Sequence, residues 1–309
     1  MEAIIKRDVS INPLSKLDFT LTSPKHSKEI LITDNFTNQP FDSLIIIGDA
    51  LGNLKKFPDG FFQCCMTSPP YWGLRDYGIP HQIGAEMDID EYINKLVSVF
   101  REVRRTLTLD GIFWLNIGDA YTSGNRTWRD RDKKNPARAM NYRPPTPKEL
   151  KPKDLIGIPW KLAFALQSDG WYLRSDVIWY KPNCQPESVK DRPTRSHEYL
   201  FLFSKSEKYS YNYDEVMEPS RSKKGMRNRR TVWEINTEPF REAHYASFPK
   251  DLVKPCILAG SKEEDIVLDP FLGSGTVGVV CLPLNRRFAG IELKKEYVDI
   301  ACKRLKDEV

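Results

Sequence analysis

The stretch IVLDPFLGSGTVG, residues 266–278, decides how this chain folds. It opens with a short apolar run of the kind buried in a parallel sheet. An acid and a proline follow, Asp269-Pro270, and then Phe271, Leu272 and a Gly-x-Gly-x-x-Gly pattern formed by Gly273, Gly275 and Gly278. Glycines after a strand let the backbone approach a ligand, and a helix N-terminus beyond them favours negative charge. Glu292 ends the next strand-like run, RFAGIEL, about 20 residues further on, where a carboxylate can bind both hydroxyls of a ribose. A nucleoside-bearing ligand follows. A dinucleotide-binding fold normally places this pattern first and adds several strands after it. Here one helical segment, EYVDIACKRLKDE, follows Glu292, so the remaining strands come from upstream and the sheet is wound in permuted order.

Those upstream strands are legible. SLIIIGDA ends at Gly48-Asp49 and FFQCCMTS ends before two prolines. Between them and GIFWLNIGDAY, the segment IDEYINKLVSVFREVRRTL sets Ile89, Ile93, Leu96, Val97, Phe100, Val103 and Leu107 at three- and four-residue intervals, one apolar helical face. PWKLAFALQSDG reads as a helix ending at Gly170, and WYLRSDVIWYKP with EYLFLFSKS as an antiparallel pair at a sheet edge. FPKDLVKPCILAG reads as another helix. Strands alternating with helices predict an α/β fold, a Rossmann-like, mostly parallel sheet with helices on both faces. Residues 1–43 lack sustained periodicity and read as an N-terminal arm, leaving 44–309 as the folded domain.

The second unusual stretch is Ser68-Pro69-Pro70-Tyr71-Trp72. Proline has no N–H, so a double proline stops a strand, and the aromatics can plug a core edge. The same residues suit chemistry. Fixed prolines leave carbonyls free of ladder bonding, so the Pro69 carbonyl and the Ser68 hydroxyl can accept hydrogens from one amino group. Tyr71 offers a flat surface for an unstacked base. An ammonium beside Asp269 and a ribose beside Glu292 are both features of S-adenosylmethionine, which also carries a sulfonium.

The formal net charge is +5, concentrated in two runs. Arg126, Arg129, Lys133 and Lys134 lie in a proline-rich loop within 122–153, and Lys223, Lys224, Arg229 and Arg230 lie in RSKKGMRNRR. Either run alone reads as a solvated loop; two of them interleaved with Trp128, Tyr142 and Trp233 point to DNA. The six cysteines show neither a disulfide framework nor metal-ligand spacing, so no metal is expected. Met1 begins no apolar leader and no long uncharged run follows, which predicts the cytoplasm of a prokaryotic cell and no membrane partner.

Taken together, SPPYW, FPKDLVKPCILAG leading into VLDPFLGSGT, and GIEL resemble the exocyclic-amino DNA methyltransferases of the β arrangement, in which the catalytic motif precedes target recognition and the cofactor motif comes last. The resemblance runs from about Gly48 to Leu305. It implies a seven-stranded sheet, S-adenosylmethionine as methyl donor, and an extruded base as acceptor. It assigns catalysis to Ser68, Pro69, Pro70 and Tyr71. Cofactor binding goes to Asp269, Phe271, Gly273, Ser274, Gly275, Thr276, Glu292, Asp49 and Phe248. Ser at the first motif position is typical of cytosine-N4 methylation; Asp or Asn there is usual for adenine-N6, which stays open. Target recognition is expected in 207–238, double-stranded DNA as substrate, and a cognate restriction endonuclease as a possible partner.

Several positions carry two readings. Asp49 is a cofactor-facing acid or a turn acid, Asp119 lines the base pocket or caps a loop, and His244 covers the cofactor or is structural. Trp171, Tyr172, Trp179 and Tyr180 read as core. Carbon-5 methylation requires a Pro-Cys nucleophile, and the one such pair, Pro255-Cys256, lies on an expected helix. Protein-glutamine methyltransferases use a related Asn-Pro-Pro-Tyr motif but place their cofactor motif first. A non-catalytic DNA-binding module is a third class, which the intact site disfavours.

Overall fold

The computed structural model describes residues 9–12, 20–22, 31–33, 43–80, 82–122, 144–220, 224–238 and 248–307. Its centre is built from β4 (Ser43–Ile47), β5 (Phe62–Thr67), β6 (Leu107–Ile117), β7 (Tyr172–Tyr180), β8 (His197–Ser204), β12 (Ile266–Asp269) and β13 (Arg287–Glu292). Two short strands extend it, β1 (Val9–Asn12) beside β4 and β11 (Val232–Glu234) beside β7. The spatial order is β1-β4-β13-β12-β5-β6-β8-β7-β11. Every neighbouring pair is parallel except those made by β8, which runs against both β6 and β7.

This sheet has nine strands where the family resemblance implies seven. VSIN and VWE, four and three residues long, are too short to show a period of two. The arm thus contributes an edge strand, and β11 takes the other edge outside the antiparallel β7–β8 pair. The arm also holds an antiparallel pair, β2 (Thr20–Thr22) with β3 (Leu31–Thr33). A second small antiparallel pair, β9 (Glu218–Pro219) with β10 (Met226–Arg227), lies in the segment between β8 and β11.

Alternation assigns side chains to the two faces. On β5 and β6, Cys65, Phe113 and Leu115 point to one core; Cys64, Met66, Ile112 and Trp114 point to the other. The first core is covered by α1 (Ala50–Leu54), α2 (Ile89–Thr106) and α3 (Ile158–Ser168). The second is covered by α4 (Lys250–Gly260), α5 (Thr276–Cys281) and α6 (Lys295–Asp307). The α2 helix begins at Asp88, whose carboxylate accepts from the Asp90 amide at 2.6 Å, and ends with Arg104 and Arg105 in its last turn, a charge order that suits the helix dipole. The expectation of four core aromatics is met by two: Trp171, just before β7, is buried in the first core and Trp179 in the second, on opposite faces because the β7 register shifts between Leu173 and Ser175, while Tyr172 and Tyr180 are exposed. Cys256 lies buried inside α4, where burial holds its thiol well above the ordinary range, so it is no nucleophile. Among the described residues no helix is long and apolar enough to cross a membrane.

Candidate active site

Parallel pairing sets Leu268 of β12 opposite Cys65 of β5, so the two strands end side by side. The two sequence motifs leave the sheet there. Thr67, the last residue of β5, donates its hydroxyl hydrogen to Asp269 Oδ1 at 2.6 Å, and the Phe271 amide donates to the same oxygen at 3.1 Å. Asp269 Oδ2 is buried without a partner. Burial, with repulsion from Glu292 added, pushes the Asp269 carboxyl up to about 7. An orphaned, desolvated carboxylate oxygen is the complement of a cationic ligand.

Next to it, at the end of β13, the Glu292 carboxylate accepts from the Gly273 amide at 2.9 Å and the Lys294 amide at 2.8 Å. The Leu293 amide also faces this carboxylate, and because a carboxylate has about four acceptor sites, lone-pair capacity remains for a hydroxyl group. Gly48 donates to the Glu292 carbonyl at 2.8 Å, which brings the end of β4 to the same edge. Asp49 caps α1, accepting from the Gly52 amide at 2.6 Å on an exposed surface. That is the geometry of the turn acid.

The three loop glycines divide by role. Gly273 has φ 53° and open room where a Cβ would stand. A Cβ on Gly275 would come within 2.8 Å of Ala301 on α6, and one on Gly278 within 2.7 Å of Phe288. Those two glycines serve helix and sheet packing, which the sequence pattern does not distinguish from ligand approach. Ser274 and Thr276 are also turned inward: Arg304 donates to their hydroxyl oxygens at 2.8 and 3.0 Å. Phe271 is half-buried, 6.2 Å edge-on from Phe100, and Phe248 packs partly buried on the second core.

On the other side of Asp269, the Pro70 carbonyl is taken by the Tyr92 hydroxyl at 2.9 Å. Trp72 is buried and donates to the Glu86 carbonyl at 2.9 Å, so it does plug the core edge. Tyr71 lies against Gly118, and its hydroxyl donates to Glu198 Oε2 at 2.9 Å. Burial first, then the Glu198 charge, push the Tyr71 phenol well above its ordinary range. A cavity of about 230 Å³ opens beside Tyr71, with Asp119, Tyr121, Pro144 and Arg195 in its wall. Asp119 does both things its position allows. It lines this cavity, and its Oδ1 accepts from Ala120, Gly157 and Ile158 amides at 2.9, 2.9 and 3.0 Å, supplying α3 with the cap that Gly157 cannot.

The basic residues are less gathered. Arg126, Arg129, Lys133, Lys134 and Lys223 lie outside the described residues, as does His244. Lys224 and Arg230 are exposed. Arg229 is packed, its guanidinium carbon 4.3 Å above the Trp233 ring.

Glu198, Lys181 and Asn116 were not singled out by motif. Glu198 sits at the start of β8, and strand starts ordinarily lie at the amino edge of a parallel sheet. Because β8 runs antiparallel, its first residues reach the carboxyl edge. The antiparallel pairing was itself legible and was the available signal.

A permuted Rossmann-like sheet carrying a proline-fixed turn and an acid-glycine loop side by side defines a nucleoside-dependent transferase. The DNA methylase family matches residues 62–303, and the chain belongs to that family. It is 58% identical over 291 residues to the Type II methyltransferase M.Cfr9I of Citrobacter freundii, covering 93% of this chain and 97% of the relative. Identity to the Type II methyltransferase M.SmaI of Serratia marcescens is 58% over 287 residues, with 91% and 98% covered. Among solved structures, the cytosine-N4-specific PvuII DNA methyltransferase shares the fold with TM-score 0.66 at 23% identity, covering 85% of this chain and 86% of the other. A candidate DNA modification methylase of Thermus thermophilus, solved with S-adenosyl-L-methionine, has TM-score 0.59 at 22% identity over 86% of this chain and 94% of the other.

Proposed function

We propose that this DNA methylase transfers a methyl group from S-adenosylmethionine to the N4 amine of a cytosine extruded from a specific double-stranded site, and that it partners a cognate restriction endonuclease in a prokaryotic cytoplasm. The observation that carries this reading is the Thr67–Asp269 contact, which joins the Ser-Pro-Pro-Tyr turn to the acid-glycine loop at one edge. Bound there, S-adenosylmethionine supplies a methyl group on a positively charged sulfur. The unpartnered Asp269 oxygen suits its ammonium, the spare lone pairs of Glu292 suit its ribose, and Gly273 and Phe271 border the space between.

The acceptor sets the harder problem. An exocyclic amino nitrogen shares its lone pair with the ring and is a poor nucleophile. Holding both its hydrogens in rigid acceptors turns that lone pair towards the methyl group. Ser68 Oγ and the Pro69 carbonyl are those acceptors, the Pro70 carbonyl being occupied by Tyr92. Tyr71 stacks on the base, and the neighbouring cavity receives it. Lys224, Arg230 and the basic loop contact phosphates; segment 207–238 reads the site. Serine at position 68 favours cytosine over adenine.

Mass spectrometry of nucleosides from DNA treated with pure protein tests the reading. N4-methylcytosine is expected. N6-methyladenine overturns the choice of base, and labelled protein without labelled DNA overturns the substrate class.

A further inference from the structure

Side-chain donors in the wall of the cavity beside Tyr71 are mostly spent within the protein. Tyr71 donates to Glu198, whose carboxylate also takes Asn116 Nδ2 at 3.2 Å and Lys181 Nζ at 2.5 Å. Trp72 donates to the Glu86 carbonyl, and Thr122 Oγ1 to the Lys151 carbonyl at 2.7 Å. Arg195, just before β8, is different. Its side chain is 17% exposed and ion-paired with Asp119 at 3.7 Å, too long for a hydrogen bond. Asp119 has turned its lone pairs to backbone amides, Oδ2 included, which accepts from Gly157 at 3.1 Å. It offsets the guanidinium charge without occupying the guanidinium.

Among the described residues the Arg195 guanidinium therefore donates no hydrogen bond. Its backbone is fixed all the same, because the Arg195 amide donates to Glu187 Oε2 at 3.3 Å. Arg192 cannot substitute for it: Arg192 Nη1 donates to that same Glu187 oxygen at 2.6 Å, and its guanidinium carbon lies 3.8 Å from the centre of the Tyr121 ring.

A largely shielded guanidinium with idle N–H groups is costly unless a ligand accepts from it. Its planar fork matches two acceptors lying side by side. An extruded base is read along its Watson–Crick edge. Next to the exocyclic amine, cytosine carries two acceptors on that edge, N3 and O2; adenine carries one, N1, and then a C–H at position 2. We infer that Arg195 is a specificity-determining residue that donates to N3 and O2 of the extruded cytosine, so that the cavity as well as Ser68 selects cytosine over adenine. The inference rests on the proposed reading in which this cavity receives the target base.

Single-turnover methyl transfer should be measured on synthetic duplexes carrying the sequence that the pure protein methylates, with the target cytosine intact or replaced by 3-deazacytosine. That analogue keeps the amine and O2 but has a C–H in place of N3. Arg195→Met removes every donor of the side chain. It should slow transfer to cytosine by about 10- to 100-fold, the strength of hydrogen bonds made by a charged group, with donor affinity unchanged. Its effect on 3-deazacytosine should be smaller by about tenfold, because the parent has already lost one acceptor there. An Arg195 that is merely structural, or that holds a phosphate, does not sense the atom at position 3. Losses on the two duplexes that agree within about twofold overturn the inference. Arg195→Lys keeps a charge beside Asp119 without the fork, and it takes the same comparison should Arg195→Met fail to fold. N6-methyladenine as the parent's product overturns the cytosine reading and this inference together, whereas N4-methylcytosine with equal losses overturns the inference alone.

Discussion

Thr67 and Asp269 are 202 residues apart in the chain and 2.6 Å apart in the fold, and their hydrogen bond satisfies only one of the two Asp269 oxygens. A carboxyl held at about 7 keeps its proton in the fold, while the unfolded chain releases it above about pH 4. Between those values the native state binds more protons, so stability of the ligand-free protein falls as pH rises from about 4 to about 7 and then levels. Asp269→Asn has the same shape without the charge. It should raise the stability of the free protein at about pH 8 by on the order of 2–4 kcal/mol, leave it unchanged at about pH 4, and abolish donor binding. Thermal melts across pH check the first two statements and calorimetry the third.

Donor affinity carries its own pH signature. A carboxylate has to be ionised to hold an ammonium, so affinity should strengthen as pH rises and flatten above about 7, where Asp269 has lost its proton. Titration calorimetry from about pH 5 to 9 shows the plateau. Affinity that is flat with pH contradicts the assignment of Asp269.

Gly275→Ala tests packing against ligand approach. Its φ of 82° is a left-handed conformation, and the added carbon would meet the α6 backbone as well as the Ala301 side chain. Overpacking of this kind costs about 1–3 kcal/mol. Chemical denaturation without any ligand should show the loss; a fully stable variant that binds the donor poorly points instead to a ligand contact.

The basic run should separate into two behaviours. Replacing Lys224 and Arg230 with alanine should lower the slope of log affinity for DNA against log salt by ~0.9 for every phosphate that is no longer neutralised. Arg229→Ala should leave that slope alone and destabilise the fold by about 1 kcal/mol, because its guanidinium no longer stacks on Trp233. Binding isotherms at several salt concentrations distinguish them.

For the base, Tyr71→Ala should cost about 1–3 kcal/mol in binding of DNA whose target base is already unpaired, the worth of one aromatic platform. Donor binding should survive. Equal affinity of parent and variant for such DNA removes Tyr71 as the platform.

What could be read from the sequence was what is local. The α2 face repeats over five turns, and both motifs lie in contiguous residues, so neither needed knowledge of the fold. What could not be read was what several segments make together. Glu198, Lys181 and Asn116 come from different strand ends and converge only because β8 runs backwards. Ser274 and Thr276 belong to the loop by position, yet their hydroxyls face Arg304, thirty and twenty-eight residues away. The edge strands β1 and β11 are invisible for a simpler reason: a period needs repeats, and three or four residues hold too few.

The order of the sheet has a consequence for biosynthesis. β4 and β5 follow one another in the chain but are not neighbours, because β13 and β12 lie between them. A nascent chain that has emerged only through β8 therefore holds two strands with open inner edges and nothing to pair them, the arrangement most exposed to mispairing with another chain. The gap closes when residues 266–292 arrive, and the Thr67–Asp269 hydrogen bond forms in that same event. Assembly of the sheet is thereby tied to translation of its last strands, so no shorter ribosome-bound intermediate can hold the donor or present an aligned Ser68 to DNA.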